Sequence, residues 1–527
     1  MIDITAEAAR RERRRPRSAM RYERKSDMAA AAIRPLNSAR RRTLIVDLNN
    51  FSVFPTLAIG LLVATLRNSG FEARVLCPLA YGVVAATRER RETILDHAAR
   101  RLHHATWTPL RATRDAARDL RQWWKGRADP RVLRETARAL DDRPDVVLLS
   151  AYLQHYNTVI EICRMAQARG IPVVLGGPYF NVAGTAEAWR NIPGLTAIVG
   201  GESDLTVARV VEAVCDGGDL LAFDGVLLPD GRRSRPAAPL RGLERIPIPD
   251  FTDFPWHLYK FRVVPVMTGR GCQWNRCAFC SDIVSASGRT FRTRPIAAVL
   301  NELREQSLRH NTKNFLFIDL KLNSNPAMFR GIIEEIQRYV QGAEWVGTVH
   351  VDHRPDNGLS RPELRAAVAA GMRRISFGLE SGSQRLLDAM DKGCQVEENS
   401  RFLRHAHEAG LSVRATMFKG YPGETVEDLE LTEKFLREHA PYLDRVRYND
   451  FSIHEDTPIY TRVAENAEAY PRLRVRSYDH RNGRALYWNE AITDRAYRKV
   501  NARILDIVHS INRRPVRRAA QAFDGLM

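Results

Sequence analysis

The chain has 527 residues and a formal net charge of +19, with 44% hydrophobic and 27% charged residues. This length predicts two or three domains, and the apolar content is sufficient for sizeable hydrophobic cores. The sequence shows no apolar run long enough to span a bilayer and no apolar stretch typical of a signal peptide. Four of the seven cysteines are scattered singly, which is typical of a protein kept reduced, so we expect a cytoplasmic location.

The positive charge is concentrated in three segments. Residues 1–42, residues 87–143 and the last 17 residues carry net charges of +8, +6 and +3, together +17 of the +19. Charge runs are more often solvated faces or tails than binding grooves. The aromatic residues that a single-strand-binding platform interleaves with its basic residues are also sparse. The composition therefore disfavours a nucleic-acid partner, and RNA binding through the basic arm is kept only as a minor alternative.

Apolar strands and helices alternate through the N-terminal half of the chain. Residues 1–42 are predicted to be a disordered basic arm, and residues 43–225 an α/β domain with an arginine-rich helical insertion at 87–143. Such alternation is typical of a doubly wound, Rossmann-like parallel sheet. The first βα loop lacks the Gly-x-Gly-x-x-Gly pattern, which argues against a dinucleotide-binding unit. The predicted strands are 43–47, 71–76, 145–150, 172–175 and 197–199.

A second α/β array follows a proline-punctuated linker over residues 226–262. Residues 263–460 contain six strand–helix repeats, which predict a partial (β/α)6 barrel whose chemistry lies at the C-terminal ends of its strands. Residues 461–527 are predicted to be a helical C-terminal region that closes the barrel mouth. The predicted strands are 263–268, 315–319, 345–350, 374–378, 411–417 and 445–449.

Three cysteines stand directly after the first strand of the second array, at Cys272, Cys277 and Cys280. A structural zinc site would normally add a fourth cysteine or histidine at short spacing. The sequence has neither in the next twenty residues. Three thiolates with one open position favour an iron–sulfur cluster. Half of a zinc knuckle, or three inert cysteines, remain as alternatives.

This loop resembles the cluster loop of radical S-adenosylmethionine (SAM) enzymes, and the later runs "SFGLESGS" and "MFKGYPGET" extend the resemblance. The common family spacing has three residues between the first two cysteines, whereas this chain has four. The resemblance implies a [4Fe-4S] cluster held by the three cysteines, SAM on the fourth iron and an external electron donor such as flavodoxin or ferredoxin. It also implies SAM contacts from Asp319, Ser376, Glu380, Arg414, Gly420 and Gly423.

The runs "PDVVLLS", "GGPY" and "GES" in the N-terminal array resemble the cobalamin-binding domain that precedes the radical SAM domain in one large subfamily. The first βα loop lacks the Asp-x-His-x-x-Gly motif that supplies a histidine to cobalt elsewhere. We therefore expect a residue of 49–53 to cover the lower face of the cobalt. The resemblance implies cobalamin contacts from Asn50, Phe51, Ser52, Ser150, Tyr152, Gly176, Gly177, Gly201 and Glu202.

The paired resemblances imply a cobalamin-dependent methyltransferase. Such an enzyme would methylate an unactivated carbon of a small molecule or natural-product intermediate through a 5′-deoxyadenosyl radical and methylcobalamin. A non-methylating cyclase or rearrangement enzyme is the first alternative, and an RNA-modifying protein a lesser one. His350, Asp352 and His353 are expected at the barrel mouth, either as acid–base groups or as structural residues. Cys394 is expected to be structural.

Overall fold

The computed structural model describes residues 41–48, 53–83, 89, 91–105, 113–117, 120, 126–282 and 290–526. Within these ranges the strands form two six-stranded sheets and two small hairpins. No helix in the described part of the chain is long and apolar enough to cross a membrane. The predicted disordered arm lies outside the described residues except for Arg41 and Arg42, and Arg42 begins the first strand.

The first sheet has the strand order β2-β1-β3-β4-β5-β6. Its first five strands are parallel, and β6 adds an antiparallel edge. The strands are β1 (Arg42–Asp47), β2 (Glu72–Leu76), β3 (Val146–Ser150), β4 (Val173–Gly176), β5 (Ala197–Val199) and β6 (Val226–Leu227). The helices are α1 (Leu57–Asn68), α2 (Ile94–His103), α3 (Pro130–Asp141), α4 (Tyr156–Gln167), α5 (Ala183–Trp189) and α6 (Val207–Asp216). The predicted doubly wound sheet is confirmed, and β6 was missed because two residues carry no periodicity.

The second sheet is parallel throughout, with the order β14-β13-β12-β11-β10-β7. It forms the predicted partial barrel, since its six strands follow one another in chain order. The strands are β7 (Val263–Val266), β8 (Gly269–Gly271), β9 (Phe291–Thr293), β10 (Asn314–Phe317), β11 (Glu344–Val349), β12 (Met372–Glu380), β13 (Ser412–Lys419) and β14 (Arg445–Asp450), of which β8 and β9 form a separate hairpin. The helices are α7 (Ile296–His310), α8 (Pro326–Tyr339), α9 (Arg361–Ala369), α10 (Gln384–Ala389), α11 (Val396–Ala409) and α12 (Val426–His439).

The C-terminal region corrects one prediction, because it is not wholly helical. An antiparallel hairpin of β15 (Leu473–Asp479) and β16 (Arg484–Asn489) lies between α13 (Pro458–Glu465) and α14 (Arg495–Asn512). Asn482-Gly483 precedes β16, and Gly483 has the positive φ of +57° that such turns favour. The hairpin was missed because its largely exposed strands lack a buried apolar face.

One hydrophobic core connects the two arrays. The fully buried ring of Phe251, from the predicted linker, packs against Gly60 of α1 so closely that a Cβ there would lie 2.3 Å from the ring. Arg67 of α1 also donates to Asp250 at 2.7 Å and to Asp253 at 2.8 Å. The linker therefore fixes the first sheet against the barrel.

Candidate functional site

The three cysteines line one cavity of about 420 Å³ at the C-terminal end of the barrel. Cys272 and Cys277 are buried, and Cys280 is partly exposed. The cavity also receives Phe279 from the same loop and Glu380 from the end of β12. A volume of this size falls in the range of cofactor and small-molecule sites. The structure therefore brings together the thiols that the sequence placed on one loop.

The spacing of the thiols bears on the kind of metal group that they could hold. Thiolates on one tetrahedral zinc ion lie roughly 4 Å apart, because each Zn–S bond is about 2.3 Å. Among the described residues, the one group of three or more ligand atoms within 4.8 Å of one another is His103, His104 and Asp450. The three cysteine thiols do not form such a group. A cluster in which each cysteine binds a separate iron does not require that proximity.

The start of the cysteine loop is held by Asp319, which follows β10. Its carboxylate accepts hydrogen bonds from the Thr268 amide at 3.0 Å, the Thr268 hydroxyl at 2.6 Å and the Gly269 amide at 2.9 Å. Burial raises the pKa of Asp319 to about 6. Asp319 does not line the cysteine cavity. The structure therefore gives Asp319 an anchoring contact, and its contact with SAM stays a prediction.

The four-residue spacer between the first two cysteines makes contacts outside its own loop. The indole of Trp274 donates a hydrogen bond to the Asp391 carbonyl at 2.6 Å. Its ring also fills the space beside Gly393, where a Cβ would lie 2.1 Å from the indole. Asn275 takes up the turn with φ of +39°. The spacer thus joins the cysteine loop to residues 391–393, which follow α10.

A buried ion pair forms one wall of the cysteine cavity. The Lys392 ammonium lies 3.1 Å from Glu380 and 5.6 Å from the centroid of the Phe279 ring. A Cβ at Gly378 would lie 2.1 Å from the Glu380 carboxylate, so glycine makes room for the pair. Burial opposes the charge on Lys392, but the Glu380 carboxylate raises its pKa above the ordinary value. Lys321 lies in the same cavity, so two lysines accompany the thiols.

Replacing Lys392 should destabilise the protein strongly. We expect Lys392→Met to cost about 3–5 kcal/mol of unfolding free energy, because it leaves the Glu380 charge buried and unpaired. Urea denaturation of the metal-free protein measures this cost, and the Lys392→Met/Glu380→Gln double variant should recover part of it. Lys434→Met, on the exposed face of α12, is the control. Equal stability of Lys392→Met and Lys434→Met would contradict the assignment.

Two other predicted SAM contacts, Ser376 and Arg414, lie within strands β12 and β13 and do not line the cysteine cavity. Arg414 donates two hydrogen bonds from Nε to the Glu89 carboxylate, both at 2.7 Å, and does not line the cysteine cavity. Arg414 is therefore held in an ion pair within the chain, and its pairing with SAM stays a prediction. Ser376 is its neighbour across β12 and β13, and its buried hydroxyl has no hydrogen-bond partner among the described residues. Glu89 was missed because it belongs to the insertion rather than to the barrel.

The predicted glycines after β13 form a loop braced by Glu424. One carboxylate oxygen of Glu424 accepts hydrogen bonds from the Gly420 amide at 2.5 Å and from the Tyr497 hydroxyl at 2.6 Å. Gly420 and Gly423 have φ of +78° and +84°, which glycine adopts without strain. Burial raises the pKa of Glu424 to about 7. The contact of this loop with SAM remains a prediction.

The raised pKa of Glu424 predicts a pH-dependent stability. The folded state binds this proton more tightly than the unfolded state, so the stabilisation is present at low pH and is lost as the pH rises through about 7. Glu424→Gln cannot titrate, so wild type should lose stability relative to it between pH 5 and pH 8, by at most about 1.4 kcal/mol per pH unit. Thermal unfolding at both pH values measures the difference, with the exposed Glu427→Gln as control. Parallel pH profiles for wild type and Glu424→Gln would contradict it.

The polar residues expected at the barrel mouth are engaged in contacts within the chain. His350 lines the cysteine cavity, and its Nε2 lies 2.9 Å from the Lys392 carbonyl. Burial lowers the pKa of His350 well below its usual value, which keeps the imidazole neutral. Buried Asp352 accepts from Arg354 at 2.9 Å, and His353 Nδ1 lies 2.9 Å from the Gly393 carbonyl. Cys394 is buried and does not line the cavity.

A second cavity, of about 400 Å³, lies beyond the C-terminal ends of the first sheet. Its lining includes all six predicted cobalamin residues that the structure describes: Ser150, Tyr152, Gly176, Gly177, Gly201 and Glu202. Gly177 has φ of +147°, and a Cβ there would lie 2.2 Å from the Ala151 carbonyl oxygen. Asn50, Phe51 and Ser52 lie outside the described residues, so the proposed cover of the lower cobalt face stays a prediction.

The two cavities share a wall. Leu320 lines both of them, while Asp319 faces the second cavity and Lys321 the cysteine cavity. The barrel also contributes Met267 and Arg270 to the second cavity. The residues that follow β10 and the start of the cysteine loop thus separate the two cavities.

The partial parallel barrel and its three cysteines lie largely within the part of the chain that matches a known family. Residues 266–436 match the family model described as the Radical SAM superfamily. It is 28% identical over 355 residues to a methyltransferase of Pyrococcus horikoshii described as uncharacterized, a match that covers 66% of this chain and 72% of that protein. It is 29% identical over 287 residues to the anaerobic magnesium-protoporphyrin IX monomethyl ester cyclase of Rubrivivax gelatinosus. That match covers 51% of this chain and only half of the cyclase.

Solved structures show the same two-domain fold. The radical SAM methyltransferase TsrM from Kitasatospora setae, with tryptophan and a SAM analogue bound, superposes with a TM-score of 0.63 over 89% of each chain at 17% identity. The cobalamin-dependent radical SAM enzyme OxsB, with aqua-cobalamin bound, gives a TM-score of 0.62 at 17% identity, over 85% of this chain and 64% of OxsB. At this identity the likeness establishes the fold, and the activity needs a separate argument.

Proposed function

We propose that the protein is a cobalamin-dependent radical SAM methyltransferase that acts on an unactivated carbon of a small molecule. The cysteine cavity takes the [4Fe-4S] cluster and SAM, and the second cavity takes cobalamin. The observation that carries the proposal is the shared wall at Leu320, because methyl transfer to a substrate radical requires the two cofactors to act on one substrate. The fold shared with TsrM and OxsB supports it.

The residues of this chain bind, orient and shield these groups. When bound, the cluster with SAM would supply a carbon-centred radical that abstracts hydrogen, and cobalamin would supply a transferable methyl group. Cys272, Cys277 and Cys280 hold the cluster, and Asp319 fixes the start of their loop. Orientation matters because a radical abstracts whichever hydrogen lies nearest. The lining of the second cavity is mainly apolar and would shield a bound corrin from water.

Two products test this function without a known substrate. The reconstituted protein is incubated anaerobically with SAM, cobalamin and a chemical reductant. We expect both 5′-deoxyadenosine and S-adenosylhomocysteine, with the methyl of trideuteromethyl-SAM recovered on cobalamin. Formation of 5′-deoxyadenosine without any methylated cobalamin would contradict the methyltransferase assignment.

That second outcome favours the alternative of a non-methylating cyclase or rearrangement enzyme. The similarity to the Rubrivivax cyclase is the observation that supports this alternative. Such an enzyme would use the same cysteine cavity for hydrogen abstraction and would consume SAM without forming S-adenosylhomocysteine.

A reduced compartment and an external electron source complete the proposal. The scattered cysteines Cys77, Cys163, Cys215 and Cys394 form no disulfide, which agrees with a cytoplasmic location. We propose flavodoxin or ferredoxin as the one-electron donor. A reduced flavodoxin that supports 5′-deoxyadenosine formation in place of the chemical reductant would establish that partner class.

A further inference from the structure

Two arginines on the β8–β9 hairpin face the turn that follows β5. Arg270 and Arg292 stand opposite each other in the hairpin register. Arg270 donates to both carboxylate oxygens of Asp204, at 2.7 and 2.8 Å. Arg292 donates to both oxygens of Glu202, at 2.6 and 2.8 Å. The hairpin that leads into Cys272 is thus joined to the first α/β array by two bidentate ion pairs.

These pairs are largely shielded from solvent. Side-chain exposure is 14% for Arg270, 15% for Arg292, 8% for Glu202 and 10% for Asp204. Bidentate arginine–carboxylate pairs fix orientation as well as distance. Removing one partner of a buried pair leaves a charge uncompensated, so these contacts resist separation far better than exposed pairs do.

Further contacts hold the β8–β9 hairpin in place. A Cβ at Gly271 would lie 1.6 Å from the Thr290 carbonyl oxygen, so β8 and β9 are in close contact. Glu202 also accepts from the Leu240 amide at 2.7 Å, and Arg292 donates to the Leu240 carbonyl at 2.6 Å. The predicted linker is therefore held in the same cluster of contacts.

We propose that these two ion pairs are positioning contacts that set the separation between the cysteine loop and the second cavity. Glu202, Asp204 and Arg270 all line that cavity, while Arg270 stands two residues before Cys272. The effect of these ion pairs on catalysis rests on the proposed function, because they would then set the distance between the cluster and cobalamin. It also gives Glu202 a second role beside its predicted contact with cobalamin.

The first test uses the full-length protein without cofactors. In Arg270→Gln, amide hydrogen exchange should rise at least about tenfold in residues 200–206 and 268–272, because the two segments lose their bond. Arg232→Gln is the matched control, since Arg232 forms an exposed pair with Asp230 shortly after β6. Unchanged exchange in Arg270→Gln would overturn the proposal. This measurement does not depend on cofactor binding, so it stands even if the proposed function fails.

The second test uses the protein loaded with cluster and cob(II)alamin. Dipolar broadening between the reduced cluster and cob(II)alamin in the electron paramagnetic resonance spectrum should change in Arg270→Gln and be restored in the charge-swapped Arg270→Asp/Asp204→Arg variant. Methylation of cobalamin by SAM should fall roughly 10- to 100-fold relative to 5′-deoxyadenosine formation. If Arg270→Gln does not fold, Arg270→Lys, which keeps the charge but not the fork, should show the same changes to a smaller degree. Identical broadening and product ratios in these variants and wild type would overturn the proposal.

Discussion

Cys277→Ala should leave the protein unable to retain a [4Fe-4S] cluster and should lower 5′-deoxyadenosine formation by more than about 10³-fold, equivalent to about 4 kcal/mol of barrier. Cys277 is buried and lines the cysteine cavity together with Cys272 and Cys280. Without its thiolate one iron of the cluster has no protein ligand, and the cluster that must bind and reduce SAM is lost. Iron and sulfide content and 5′-deoxyadenosine, measured anaerobically, give the result.

Cys215→Ala is the matched control for this variant. Cys215 is a partly buried thiol of α6 that does not line the cysteine cavity. It should keep wild-type iron content and activity. Normal iron content in Cys277→Ala, or equal losses in both variants, would contradict the cluster assignment.

Ala58→Trp should abolish cobalamin retention while the iron content stays at the wild-type level. Ala58 lies on α1, lines the second cavity and is itself exposed there, so an indole can enter the space without entering the core. We expect cobalamin affinity to fall by at least about 100-fold, since bulk in the cavity excludes the corrin or its tail. Gel filtration of the protein with cobalamin, read by visible absorbance, measures retention.

The control places the same indole at the exposed end of the same helix. Asn68→Trp lies outside the cavity lining and should bind cobalamin as wild type does. Full cobalamin retention in Ala58→Trp would show that cobalamin binds elsewhere. Loss of iron in Ala58→Trp would show that the two sites are not separable.

The sequence predicted those parts of the molecule that local patterns determine. Buried parallel strands such as β3 and β7 are largely continuous apolar runs, and both were predicted. The cysteine spacing and the glycine turns after β4 and β5 also predicted which loops meet at the two cavities. These features depend on residues close together in the chain.

The contacts that the sequence did not predict join residues far apart in it. Arg414 pairs with Glu89, 325 positions away, and Arg292 with Glu202, 90 positions away. Glu89 has no distinctive local pattern, since a charged residue in such a segment is usually a solvated one. Glu202 was assigned to cobalamin from its "GES" run, which gives no sign of Arg292. Arg414 in particular was assigned to SAM because of its strand, and its ion pair with Glu89 was not foreseen. The hypothesis of RNA binding by the basic arm stays a prediction, because residues 1–40 lie outside the described residues.

The central claim is that three cysteines leave one iron of a cluster open for SAM. Mössbauer spectroscopy of protein reconstituted with ⁵⁷Fe, with and without SAM, tests this claim most directly. We expect a [4Fe-4S] spectrum in which SAM shifts the signal of a single iron site and leaves the other sites unchanged. Zinc without iron in oxygen-free preparations, or a cluster spectrum that SAM does not alter, would contradict the account.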